Sequence, residues 1–70
     1  MLSDVRLKMD IVPIGVLENG ISVYSFRYLG AQQYHTGVMA QEVQEIIPSA
    51  VTCGDDGYLR VDYSQIGWPA

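Results

Sequence analysis

One cysteine, Cys53, and one histidine, His35, leave a chain of seventy residues without the usual cross-links of a small domain. A lone cysteine cannot close an intrachain disulfide, and with a single histidine beside it there is no basis for a zinc cage. A domain of this length buries only about 60% of the surface that its unfolded chain exposes, so on its own it is marginal. With disulfide and metal set aside, self-association is the remaining source of stability. Composition points the same way: 49% of residues are hydrophobic and only 17% charged, an apolar surplus that something must cover. No cofactor and no metal are expected.

Charge excludes two further classes. The net charge is −4, and the four basic residues, Arg6, Lys8, Arg27 and Arg60, are scattered. Without a basic stripe, nucleic acid is not an expected partner. Uninterrupted apolar runs reach three or four residues, far short of a membrane span. The opening Met1-Leu2-Ser3-Asp4-Val5-Arg6 lacks the apolar stretch of a secretory signal, so a cytoplasmic origin is the default expectation.

Neither a linker nor a repeat divides the chain, and residues 1–70 are read as a single domain. Ser3-Asp4 predicts the N-cap of a short helical turn. Ile11-Val12-Pro13-Ile14 is extended, since Pro13 disfavours a helix through Val12. Asn19-Gly20 predicts a type I′ hairpin turn joining a short strand near Gly15–Glu18 to a longer one at Ile21–Leu29. In that longer strand Tyr24, Phe26 and Tyr28 share a face, expected to be the buried one. Gly30-Ala31-Gln32-Gln33 turns into a strand at Tyr34–Val38. Met39, Val43, Ile46 and Ile47 recur at helical spacing, with Pro48 just past the end. Strands at Ala50–Cys53 and Tyr58–Tyr63 flank Gly54-Asp55-Asp56-Gly57, a loop that suits a hairpin on a type I turn. Gly67 and Pro69 stop any closing helical turn. The expected fold is α+β: a small, mostly antiparallel sheet with one short helix packed on it.

Four blocks resemble, in order, the endosialidase-type intramolecular chaperone domain, the peptidase S74 family. They are Ser3-Asp4-Val5-Arg6-Leu7-Lys8 with Asp10-Ile11, the aromatic strand Tyr24-Ser25-Phe26-Arg27-Tyr28, Gly37-Val38-Met39-Ala40-Gln41-Glu42-Val43 with Pro48 beyond it, and Asp56-Gly57-Tyr58-Leu59-Arg60-Val61-Asp62-Tyr63. The resemblance implies a trimeric domain of phage tail spikes, tail fibres and endosialidases that helps the upstream part assemble. It further implies self-cleavage before a serine, with a lysine five residues on as base. Carried over, the catalytic pair is Ser3 and Lys8 and the cut bond is Leu2–Ser3, with Arg6, Gln41 and Glu42 as candidate supporting residues. The implied partners are further copies of the chain or tail-fibre-type subunits. The implied location is a bacterial host's cytoplasm, or the virion if the domain is part of a fibre.

The chemistry sets conditions on that pair. A lysine serves as base only if its pKa is lowered, by burial or by a neighbouring cation such as Arg6; Asp4 and Asp10 would raise it again. Five residues on a helix rotate by about 140°, and on a strand they point to opposite faces, so the pair needs a break in regular structure or contact between subunits. By residue type alone Ser3-Asp4 is a helix cap and Lys8 a solvated side chain. His35 is read as a strand residue, Cys53 as a small strand hydrophobe, Asp55-Asp56-Gly57 as a turn rather than a calcium loop, and the tyrosines and Phe26 as core or trimer contacts. Gln41 and Glu42 are either exposed helix residues or supports of the pair.

Two departures from the family pattern stand out. The chain ends seven residues after Tyr63, where the family continues into a coiled-coil helix, and no heptads fit there. Only Met1-Leu2 precede the cut. A non-enzymatic oligomerisation or interaction module that keeps the fold alone is therefore the rival expectation, and a decayed prophage relic a third.

Overall fold

Asp4 caps a 3-10 turn at Val5–Leu7, its carboxylate accepting from the Arg6 backbone N–H, as the Ser-Asp pair predicts. From there the computed structural model, which describes residues 1–68, follows strands β1 (Lys8–Val16), β2 (Ser22–Tyr28) and β3 (Tyr34–Gly37), then helix α1 (Ala40–Ile46). A 3-10 turn at Pro48–Ala50 leads into β4 (Val51–Cys53) and β5 (Leu59–Val61), and another at Tyr63–Gln65 follows. Strands β1, β2 and β3 form one antiparallel sheet in that order, and β4 and β5 a separate hairpin. The fold is α+β, as the pattern of turns and periodicities predicts. Pro69, expected to help stop the closing turn, lies outside the described residues.

Strand β1 is longer than its sequence suggests, beginning at Lys8 rather than near Gly15. Its register against β2 breaks between Met9 and Val12 and again between Pro13 and Gly15. Each break shifts the alternation of faces, which hides the strand from a period-two reading. At the first break Asp10 adopts φ 53°, left-handed backbone that aspartate tolerates better than most residues. Pro13 fits because β1 is an edge strand, where a missing N–H need cost no ladder bond.

The β1–β2 hairpin forms where Asn19-Gly20 predicts it, with a different turn. Leu17 N–H donates to Ile21 O at 2.8 Å and Gly20 N–H to Leu17 O at 2.9 Å, so Glu18, Asn19 and Gly20 make a three-residue loop. Only Gly20 takes positive φ, 89°, whereas a type I′ turn would need it at Asn19 too. Asn19 is held instead through its amide, which donates to Ile66 O at 2.9 Å and accepts from Ile21 N–H.

The core gathers Ile21, Val38, Ala40, Val43, Ala50, Val61 and Ile66, where α1 packs against β4 and β5. Phe26 is buried under the aromatic face of β2, with Tyr28 edge-on at 5.4 Å and His35 of β3 stacked at 6.1 Å. Ile46, counted on the buried face of the helix, is exposed. Ahead of the first turn, the chain start pairs with β5: Ser3 N–H donates to Leu59 O and Val61 N–H to Met1 O, with Leu2 bridged to Arg60. Among the described residues, half of the exposed large hydrophobic ones lie on β1, where Ile11, Val12, Ile14 and Val16 face solvent.

Gly37 closes β3 where there is no room for a side chain. A Cβ there would sit 2.7 Å from the Tyr63 hydroxyl and 3.3 Å from the Phe26 ring. Gly37→Ala is expected to destabilise the fold by about 1–3 kcal/mol, read from urea midpoints, because the ring and the hydroxyl must both move.

Candidate active site

The site is built outward from a buried carboxylate. Asp4 is fully buried and accepts five hydrogen bonds. Three come from Arg6: the backbone N–H and Nε at 3.0 Å, and Nη2 at 2.8 Å. The others come from Gln41 Nε2 at 2.8 Å and from Leu59 N–H at 2.9 Å. The amide oxygen of Gln41 accepts from Val5 N–H. One carboxylate thus ties the first turn to α1 and to β5. The Arg6 hydrogen bond, with the backbone donors of Leu59 and Arg6 and the Gln41 amide, outweighs burial and holds the carboxyl far below the usual carboxylate range.

Ser3 lies beside this anchor, buried at 1% exposure. Its backbone is fixed on both sides: the N–H donates to Leu59 O, and the carbonyl accepts from Ala40 N–H at 2.9 Å. Its hydroxyl meets the Tyr63 hydroxyl at 3.4 Å, and that hydroxyl also accepts from Val38 N–H at 3.1 Å. One residue back, the Leu2 carbonyl accepts from the Tyr28 hydroxyl at 3.0 Å.

The break in regular structure that the Ser3–Lys8 spacing requires is the Val5–Leu7 turn, which lies between an extended Asp4 and the start of β1. It brings Lys8 back against the Ser3 backbone within one chain, while the Ser3 hydroxyl pairs with Tyr63 rather than with Lys8. Lys8 is buried at 6% exposure, and Nζ donates to Ser3 O at 3.1 Å and to Val38 O at 2.7 Å. The Phe26 ring lies 4.2 Å from Nζ. An ammonium here has three donors for two carbonyls and a ring face. A neutral amine has two donors for the same carbonyls and a free lone pair. Burial lowers the Lys8 pKa to about 8, against the opposing pull of Asp4.

The other sequence candidates divide. Arg6 serves Asp4, reaches Gly57 O at 2.8 Å and lies over the Tyr58 ring, so burial rather than this cation lowers the Lys8 pKa. Gln41 is part of the Asp4 cluster. Glu42 faces away, accepting from the Tyr24 hydroxyl at 2.7 Å. Asp10, weighed as a perturber of Lys8, is paired with Arg27 and Tyr34. Asp56 accepts from Tyr58 N–H and pairs with Arg60 in the β4–β5 turn, and Cys53 is exposed on β4. Tyr28 and Tyr63 are site residues that the sequence does not single out: both stand in family-like blocks, but only the packing of distant segments shows which hydroxyl arrives.

Two outcomes follow from the Asp4 cluster. Asp4→Ala is expected to cost about 2–3 kcal/mol in chemical denaturation, since it strands buried donors on three segments. Because folding depresses the Asp4 pKa, its contribution is complete above the unfolded value of 3.8 and drains away as pH falls below it. Acid titration of the wild type should show that loss, and Asp4→Asn should lack this component.

A family model described as chaperone of endosialidase, peptidase S74, matches residues 3–52. That span takes in Ser3, Lys8, Phe26, Tyr28, Val38 and Gln41, and leaves out β5 and Tyr63. No curated protein and no solved structure gives a match. With most of its length matched, from the capped first turn to the middle of β4, the chain belongs to the chaperone-of-endosialidase family, peptidase S74.

Proposed function

We propose that this chain is a tail-fibre-type intramolecular chaperone domain that assists trimeric assembly and cuts the Leu2–Ser3 bond with a Ser3–Lys8 dyad. The observation that carries the proposal is the Lys8 amine, buried against the Ser3 backbone with its pKa lowered to about 8. Such a group is a competent base close to neutral pH, which an exposed lysine is not. In the first step neutral Lys8 takes the Ser3 hydroxyl proton as Oγ bonds to the Leu2 carbonyl carbon. The Leu2–Ser3 C–N bond then breaks, Lys8 returning a proton to the Ser3 nitrogen. The resulting Leu2 ester on Oγ is hydrolysed by water, leaving a Leu2 carboxylate and a free Ser3 amine and hydroxyl.

Assembly has its own support in the edge strand. Ile11, Val12, Ile14 and Val16 are exposed along β1, a ladder edge open to another copy. The non-enzymatic alternative also has an observation in its favour: the Lys8 bonds go to backbone carbonyls, which by themselves would serve only to hold the first turn.

A trimeric stem joined ahead of residue 1 separates the two readings. Mass spectrometry is expected to show the stem released at Leu2–Ser3, with no release in Ser3→Ala and at least about 10²-fold slower release in Lys8→Ala. Because burial lowers the Lys8 pKa, the base gains competence as pH rises, and the rate should climb through about pH 8 and then level. An intact wild-type fusion would leave the interaction module as the function. Separately, Val12→Lys or Ile14→Lys should shift the chain toward monomer in sedimentation velocity while thermal unfolding of the monomer changes little.

A further inference from the structure

The Leu2 carbonyl points away from the strand that its neighbours pair with. Met1 O and Ser3 N–H both bond to β5, so the backbone groups of Leu2, between them, face the opposite side. There its oxygen meets the Tyr28 hydroxyl at 3.0 Å. We infer that Tyr28 is a catalytic residue of the cleavage, donating its O–H to the Leu2 oxygen as that oxygen becomes an oxyanion. The inference rests on the proposal that Leu2–Ser3 is the bond cut.

Three features suit Tyr28 to this work. Its ring is braced before any reaction, edge-on to Phe26 at 5.4 Å and to His35 at 5.3 Å, so the donor needs no reorganisation. Its donor goes to a different carbonyl from the one Lys8 holds: Lys8 and Ala40 N–H take the Ser3 oxygen, and Tyr28 takes the Leu2 oxygen. Burial, with the nearby Tyr63, raises its pKa above the ordinary phenol value of 10.0. Lys8 can therefore be neutral while Tyr28 still carries its proton. When Oγ bonds to the Leu2 carbon, the carbonyl π pair moves to oxygen and the Tyr28 hydrogen bond strengthens against the new charge. When the C–N bond breaks, that pair returns to the carbonyl. Tyr28 keeps its proton throughout, and Lys8 alone carries the proton from Oγ to the Ser3 nitrogen.

The test uses the full chain behind the stem and follows release against time from neutral to alkaline pH. Tyr28→Phe is expected to cut about 10²-fold more slowly, as loss of one oxyanion donor does elsewhere, with the Lys8 midpoint near pH 8 unmoved. A second variant carries 3,5-difluorotyrosine at position 28, which keeps ring and hydroxyl and so decides the matter should Tyr28→Phe fold poorly. Its rate should gain a descending limb where the fluorinated phenol ionises and the donor is lost. A wild type that cuts, with Tyr28→Phe within about twofold of it or with no descending limb for the fluorinated chain, overturns the role of Tyr28 and leaves the dyad standing. A wild type that never cuts overturns the cleavage proposal and this inference with it.

Discussion

The Asp4 carboxylate is the interaction on which the rest of this small structure depends. Five donors from its own turn, α1 and β5 converge on it, and it has no exposure to water. A buried carboxylate with so many donors is costly to remove and hard to protonate, so it locks three segments that are far apart in the chain. In a chain with one cysteine and a small core, such a polar anchor does part of the positional work that a disulfide does in other small domains. It also fixes Ser3 and, through the turn it caps, the direction in which Lys8 returns.

The pocket that holds Lys8 beside it takes its hydrogen-bond acceptors from backbone. Lys8 is met by the carbonyls of Ser3 and Val38 and by the face of Phe26, and the Asp4 carboxylate that opposes the lowering of its pKa is already committed to Arg6 and its companions. Burial therefore decides its pKa. The segment from Gly37 to Ala40 is central to this: Gly37 leaves room for Phe26 and Tyr63, Val38 binds Tyr63 through its N–H and Lys8 through its carbonyl, and Ala40 N–H holds the Ser3 carbonyl. The block of residues most easily recognised in the sequence is thus the floor of the site rather than a source of reacting side chains.

Much of the architecture was legible beforehand because local chemistry dictates it. Asp4 caps because its carboxylate can reach a backbone N–H two residues on, and Gly54–Gly57 turns because Gly57 takes positive φ at no cost. Met39 and Val43 are buried on the helix face that their spacing defines. Strand β1 was hidden because two register breaks disrupt its alternation, and Asn19 failed as a type I′ residue because its amide is committed to Ile66 across the fold. Glu42 and Gln41, adjacent and chemically alike, part company because successive helix residues point about 100° apart: one meets Asp4, the other Tyr24.

The sequence by itself determined the α+β class, the helix and most of the strands and turns around it, the resemblance to the family, and the demand that a Ser3–Lys8 pair meet across an irregular turn or between subunits. The class and the spacing demand follow from periodicity, turn residues and spacing, and the family from the likeness of four blocks in order; all are properties of neighbouring residues. Tertiary structure alone decided that Asp4 is the buried hub, that Lys8 loses its water and faces two carbonyls, and that the hydroxyls of Tyr28 and Tyr63 arrive on Leu2 and Ser3. The partners of Leu2 and Ser3 come from β2 and from the segment after β5, and their approach is set by how two sheets and a helix pack, which no local spacing encodes.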